Sequence, residues 1–488
     1  MPARPNVLFF LPDQHRHDFV GFDGDVPVRT PNLDRLAGEG VAFRNAVCPS
    51  PLCGPSRACL ASGDEYDRCG VRDHAADYPY AETTYYGRLR DEAGYHVLGV
   101  GKFDLQKHSG DWGIEGKNNV TANGFSDGVN NAGKWDCVGS LVERASSSRP
   151  GTRAADPYGA YLLEHALAEA HVRDFERRSA ETPDGLPNDV GAAFPTELPE
   201  RAYCDNWIAR NGLDLLEDAP VNRPWHLVLN FAGPHNPWDV TAEMYGWYRD
   251  PDVGFPEPID HSESIDPGEM DAETSQEVRR NYAAMVENVD RWVGRFRERL
   301  TERGEWENTL VVFASDHGEM LGDHGQWYKR SPYHASVGVP LVVSGPGVEY
   351  RGVVDEPVSI LDLHATILDF AGIDPHDVDS RSLRPYLAGE TDLHRDVVYS
   401  GMGNWRMAFD GRYKLVLGYD LGRSANDQVE DADSWNEAET KYALRDRDPI
   451  LFDRDEDPAE TENVADAHPE RVDRLSEAVR RIRGDGAA

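Results

Sequence analysis

Val7-Leu8-Phe9-Phe10-Leu11 runs without a polar residue and then breaks into Pro12-Asp13-Gln14-His15. An unbroken apolar run of this length marks a strand covered on both faces, as in the middle of a parallel sheet. Open α/β sheets bind ligands beyond the carboxyl ends of such strands. Asp13 is therefore read either as a metal ligand or as a loop aspartate capping a helix, and Gln14 can add an amide oxygen. Three further runs repeat the pattern. Tyr95 to Gly101 leads to Lys102, Trp225 to Phe231 leads to His235, and Leu310 to Ser315 leads to Asp316-His317. Helical stretches alternate with them: Thr30 to Ala37, Tyr85 to Ala93, Tyr161 to Arg178, Ala202 to Leu216 and Ser275 to Thr301. In the last, Tyr282, Met285, Val289, Trp292, Val293 and Phe296 recur at helical spacing and read as core. Alternating strands and helices specify an α/β fold with a large, mostly parallel central sheet flanked by helices. Residues 109–157 and 182–198 are rich in Gly, Asn, Ser, Asp or Pro and are expected to be loops that shape a pocket.

After about residue 385 the composition changes. Short strands are expected near Asp396 to Ser400, Trp405 to Phe409, Tyr413 to Leu417 and Leu451 to Asp453, with a turn at Asp410-Gly411 and a helix over Arg471 to Arg483. This divides the chain into residues 1–385 and a smaller antiparallel α+β subdomain, 386–488. The acidic stretch 421–445 reads as a surface loop.

The chain has 488 residues and a formal net charge of -37, from 87 acidic against 50 basic residues. That charge repels nucleic acid and anionic lipid, so a nucleic-acid function is set aside. The excess is spread along the chain, as at Glu217-Asp218 and Asp455-Glu456-Asp457, and reads as adaptation to high salt or simply as an acidic surface. Six cysteines include no Cys-x-x-Cys pair, so neither a zinc knuckle nor a disulfide scaffold is indicated. No apolar stretch is long enough to span a membrane, and the run at Val7 is too short for a signal peptide. A cytoplasmic protein without membrane association is expected, with homo-oligomerisation left open.

The chemistry concentrates at Pro51-Leu52-Cys53-Gly54-Pro55-Ser56-Arg57, followed by a run that can form a short helix. Free backbone N–H groups at a helix start favour anions, and Arg57 lies one helical turn beyond Cys53. This suits an oxyanion such as a sulfate or phosphate ester; the other reading of Cys53 is a buried thiol. Lys102 is either a cationic stabiliser of such a group or a surface lysine. Asp316 and His317 complement Asp13 and Gln14 as a divalent-metal set, or else are a cap and a loop histidine. Oxygen donors favour calcium, and the imidazole admits manganese, magnesium or zinc.

Five blocks share an order with one family: Cys53-Gly54-Pro55-Ser56-Arg57, Gly101-Lys102, His235-Asn236-Pro237, Asp316-His317-Gly318, and His324-Gly325 with Lys329. Together they resemble the formylglycine-dependent sulfatases of the alkaline phosphatase superfamily. The tail residues Asp453, Asp457-Pro458, Glu460 and Asn463 resemble that family's C-terminal motif. The resemblance implies an alkaline-phosphatase-like fold and hydrolysis of a small sulfate ester to an alcohol or phenol plus sulfate. It implies that a maturation enzyme converts Cys53 to formylglycine, whose hydrate is the nucleophile. It implies one divalent metal ion on Asp13, Gln14, Cys53, Asp316 and His317. Arg57, Lys102, His235 and Lys329 would surround the transferred group, with His235 or Lys329 protonating the leaving oxygen. A phosphonate monoester or phosphodiester hydrolase with the same machinery is the alternative, and a binding protein that kept the fold is a third reading. One departure stands out: Asp104 occupies the place where the family commonly has a histidine, and His108 is a nearby substitute. Trp238, Tyr245, Trp247 and Tyr248 wall the pocket or simply pack.

Overall fold

The computed structural model describes residues 4–80, 83–146, 155–181, 190–250, 252–259, 271–425, 428, 442 and 444–484. Its first strand, β1 (Asn6–Asp13), contains the opening apolar run, and none of Val7 to Leu11 is more than 1% exposed. The run is apolar on both sides because both sides are covered. Val7, Phe9 and Leu11 enter one core, while Leu8 and Phe10 enter another together with Leu229 and Phe296.

The remaining strands are β2 (Val41–Phe43), β3 (Ala46–Val47), β4 (His96–Gly101), β5 (Asp127–Asn130), β6 (Trp225–Pro234), β7 (Thr309–Ala314), β8 (Leu341–Ser344), β9 (Gly352–Val354) and β10 (Val358–Ser359), then β11 (Val398–Met402), β12 (Trp405–Phe409), β13 (Tyr413–Leu417) and β14 (Ile450–Asp453). Eight of them form the main sheet, in the order β5-β4-β6-β1-β7-β8-β2-β9. Only β8 runs against its neighbours. β1 sits between β6 and β7, with Phe9 paired to Val228 and to Val312. Consequently β4, β6, β1 and β7 are consecutive and parallel, and their carboxyl ends open side by side. Those are the four strand ends at which the sequence places Lys102, His235, Asp13 and Asp316.

The smaller sheet is antiparallel, β11-β12-β13-β14, and carries the helix Pro469–Arg483. Its apolar side chains Tyr399, Met407 and Leu415 belong to the same buried cluster as Phe9 and Leu60 of the main unit. The α/β class and the antiparallel C-terminal sheet are thus as the sequence indicates.

Two segments differ from expectation. Tyr161 to Arg178 is not one helix but two, Pro157–Glu164 and Ala168–Glu181. Ala166 between them has φ 55°, the left-handed region that ends a helix. Residues 109–157, expected as loops, contain β5 and the helix Gly133–Ser146. Their glycines and asparagines mask a four-residue strand too short for alternation to register. In the other expected loops, residues 182–189 and most of 421–445 lie outside the described residues. Among the described residues no helix is long and apolar enough to cross a membrane.

Candidate active site

Gly101 is the residue that lets β4 deliver Lys102. Its φ is 101°, and a Cβ there would lie 1.9 Å from the Asn230 carbonyl oxygen. Only glycine tolerates both. Lys102 then turns its Nζ to Asp13 Oδ2 at 2.5 Å and Asp104 at 3.1 Å, and stands 3.6 Å from Cys53 Sγ.

Cys53 opens the helix Cys53–Ser62, which Gly63 closes in the left-handed conformation. The helix N-terminus therefore faces the sheet's carboxyl edge, and Sγ is 3.2 Å from His317 Nε2 and 3.6 Å from Asp13 Oδ1. Burial pushes the Cys53 thiol up, but Lys102, Lys329 and His317 outweigh it and hold the thiol well below its ordinary range. Arg57, one turn along, is buried among acceptors. Its Nε donates to Asp316 Oδ2 at 2.9 Å, and its Nη1 to the Lys102 carbonyl at 2.7 Å and Asn230 Oδ1 at 2.9 Å. It ties the nucleophile helix to three strand ends at once.

Donor atoms of Asp13, Cys53, Asp316 and His317 all lie within 4.8 Å of one another, and all four residues are buried. His317 Nδ1 faces the Gly318 carbonyl at 3.0 Å, which turns Nε2 towards Asp13 and Asp316 at 3.7 and 3.8 Å. Holding one imidazole nitrogen on a carbonyl so that the other faces carboxylates is how metal-binding histidines are oriented. Burial and the adjacent Asp13 push the Asp316 carboxyl up; burial acts the same way on Asp13, but Lys102, His235 and Arg57 outweigh it and hold that carboxyl below its usual range. Two carboxylates, an oriented imidazole and the Cys53 position fit a divalent cation. Gln14 stands beside this set, but its amide turns elsewhere: Oε1 accepts from Lys329, and Nε2 donates to Glu319.

Lys329 Nζ also lies 2.8 Å from His235 Nε2. Burial and the lysine charge push His235 down to about 4, so it is a neutral imidazole at ordinary pH. The structure therefore gathers Asp13, Gln14, Cys53, Arg57, Lys102, His235, Asp316, His317 and Lys329 at one place.

A cavity of about 160 Å³ leads to Cys53, lined by His74, Lys102, Lys107, Lys134, Trp135 and His235 among others. His74, Lys107, Lys134 and Trp135 were missed in the sequence. Lys134 and Trp135 come from the helix hidden in the supposed loop, and no motif marks His74. His74, not the exposed His108, is the imidazole that joins Cys53 and Asp104. Trp238 does not wall this pocket; it is 1% exposed and packs with Tyr248 and Met244 in a separate core. A larger cleft of about 910 Å³, beside Arg16, His324 and Glu460, contains none of the residues gathered around Cys53.

Known proteins are similar to this chain over most of its length. The profile of the sulfatase family matches residues 5–373. The choline-sulfatase of Rhizobium meliloti is 30% identical over 79% of this chain and 72% of its own. The arylsulfatase of Clostridium perfringens is 26% identical over 97% of this chain and 93% of its own. Among solved structures, the phosphonate monoester hydrolase of Silicibacter pomeroyi superposes with a TM-score of 0.74 over 99% of this chain and 96% of its own, at 24% identity.

Proposed function

The chain belongs to the sulfatase family of the alkaline phosphatase superfamily, and from that premise we propose that it hydrolyses a monoanionic phosphorus or sulfur ester, phosphonate monoesters and phosphodiesters ahead of sulfate esters. The observation that carries the reaction class is the convergence of Cys53 with Asp13, Asp316 and His317 under the charges of Lys102 and Arg57. Sulfate monoesters, phosphonate monoesters and phosphodiesters each bring one negative charge, so charge alone does not choose between them. They differ in the substituent that stays on the reacting atom, which is carbon or alkoxy for the phosphorus esters and oxygen for sulfate. The apolar side of the pocket, Ala132, Ala232 and Trp135, supports the former. This reverses the order in which the sequence ranked the two.

Conversion of Cys53 to formylglycine would place a hydrated aldehyde at the position of Sγ, and one of its oxygens attacks the ester. A divalent cation held by Asp13, Asp316, His317 and the converted residue, calcium first, would acidify that oxygen and draw charge from the ester oxygens. Lys102 and Arg57 oppose the charge that builds on the transferred group. Lys329 bonds to His235 and so offers a proton for the leaving oxygen. The hydrate's second hydroxyl, once deprotonated, expels the product anion and regenerates the aldehyde. Adaptation to high salt completes the reading, supported by the net charge of -37 spread along the chain.

The test compares one aryl leaving group on a phosphonate monoester, a phosphodiester and a sulfate, with protein from its own host, before and after chelation. Mass spectrometry of the Cys53 peptide accompanies it. The expected order is phosphonate monoester fastest, with activity lost on chelation, restored by calcium, and Cys53 converted. A sulfate rate tenfold higher would return the sulfate ester to first place. No turnover of any ester by converted, metal-loaded protein would overturn the catalytic reading.

A further inference from the structure

Lys329 sits on a segment that cannot hold its own shape. Between Gly318 and His334 the chain has only one short turn, Asp323–Gly325. The residues on either side of the lysine, Tyr328 and Arg330, have φ 69° and 80°. Both are non-glycine residues in the left-handed region, which persists only where surroundings enforce it. The direction of the lysine side chain depends on both.

On one side the enforcement comes from the main unit. Glu319 Oε1 accepts from the Tyr328 amide at 2.7 Å, and the Arg330 amide donates to the Pro51 carbonyl at 3.2 Å, two residues before Cys53. On the other side it comes from the small antiparallel sheet. Trp405 Nε1 of β12 donates to the Arg330 carbonyl at 2.9 Å. Lys414 Nζ of β13 donates to the Pro332 carbonyl at 2.7 Å. Glu460, after β14, accepts from the His334 amide at 2.8 Å and forms an ion pair with Lys414. Lys414 and Glu460 are almost wholly buried. Burying an ion pair is a poor way to gain stability, since apolar residues of the same volume usually serve as well. What an apolar pair would not supply is a donor for Pro332 and an acceptor for His334.

We propose that Trp405, Lys414 and Glu460 are positioning residues for the reaction: the C-terminal subdomain clamps residues 330–334 and thereby aims Lys329 at Gln14 and His235. The role of Lys329 in that statement rests on the function proposed above; the clamp itself does not.

Two variants of the full chain test it. Trp405→Phe removes the indole N–H and leaves a smaller aromatic ring in its place; Lys414→Met removes donor and charge and keeps the length. Kinetics with an ester of an unactivated alkyl alcohol, whose departure needs a proton, are measured in the wild type and in Lys329→Ala. Hydrogen exchange is followed over residues 326–334. Trp405→Phe is expected to lower kcat/KM about 5- to 10-fold and Lys414→Met about 30- to 100-fold, each by less than twofold once Lys329 is alanine. Exchange over 326–334 is expected to quicken at least fivefold in Trp405→Phe, with the β1 and β7 amides unchanged. Losses that multiply undiminished in Lys329→Ala, or exchange over 326–334 that does not change, would overturn the clamp. Should Lys414→Met fail to fold, Trp405→Phe decides alone. Should the wild type turn over no ester, the proposed function fails while the exchange measurement still decides the clamp.

Discussion

Lys102 answers to two carboxylates, and only one of them belongs to the set that Cys53 forms with Asp316 and His317. Asp13 supports the nucleophile side, whereas Asp104, 3.1 Å from Lys102 and 3.8 Å from Lys107, draws cationic charge away from an incoming anion. Burial pushes the Asp104 carboxyl up, but Lys102 and Lys107 prevail and hold it below its usual range, so it is ionised at neutral pH. Asp104→Asn is expected to lower KM for an anionic ester roughly 3- to 10-fold, with kcat changed less. Steady-state kinetics at constant ionic strength check this; a raised KM would mean that Asp104 chiefly holds Lys102 in place. Asp104 was visible in the sequence as a departure from a family pattern. His74, its neighbour in space, was not, because a lone histidine in a Gly- and Asp-rich stretch carries no pattern until folding sets it against Cys53.

Strand ends do the positioning at the next scale, and β4 shows how narrow the margin is. Gly101→Ala would put a methyl group 1.9 Å from the Asn230 oxygen at a φ of 101°. The expected cost is about 2–4 kcal/mol of stability, from strain and backbone displacement together. Because Lys102 follows directly, kcat/KM should fall by more than tenfold even where the protein remains folded. Chemical denaturation and kinetics on the same preparation check both; a loss of stability without loss of rate would separate Lys102 from the geometry of β4. The long strands were legible because an apolar run bounded by polar residues is a local signal. β5 and the helix after it were not, since four residues of Asp-Gly-Val-Asn owe their strand to pairing with β4. The break at Ala166 was likewise hidden, because periodicity reports burial and continues across a turn when both helices pack against the same core.

At the scale of the whole molecule, Glu65 is buried among charges from segments far apart in the chain, Arg68, Asp362 and Arg395. It is 3% exposed, and burial, against the opposing charge of Arg395, pushes its carboxyl up to about 8. A raised folded value means stability fully present below the unfolded value near 4.5 and lost as pH rises through about 8. Glu65→Gln removes this slope. The variant is expected to match the wild type near pH 4 and to exceed it by up to about 4 kcal/mol at pH 8. The difference in Tm between the two proteins, followed across that range, checks it; a constant difference would place Glu65 in contact with water. Comparing two proteins matters, because buried imidazoles such as His226 and His364, pushed down to about 4 by burial, contribute a slope of the opposite sign. By itself the sequence determined that Asp13, Lys102, His235 and Asp316 stand at strand ends and that Cys53 opens a helix, because these follow from the polarity of neighbouring residues. The tertiary structure alone decided that β4, β6, β1 and β7 are adjacent and that Gln14 turns to Lys329. It alone brought His74 and Trp135 to the pocket and Lys414 under Pro332, 82 residues away. Burial is written locally in a chain, but which buried surfaces meet depends on packing among segments far apart in it.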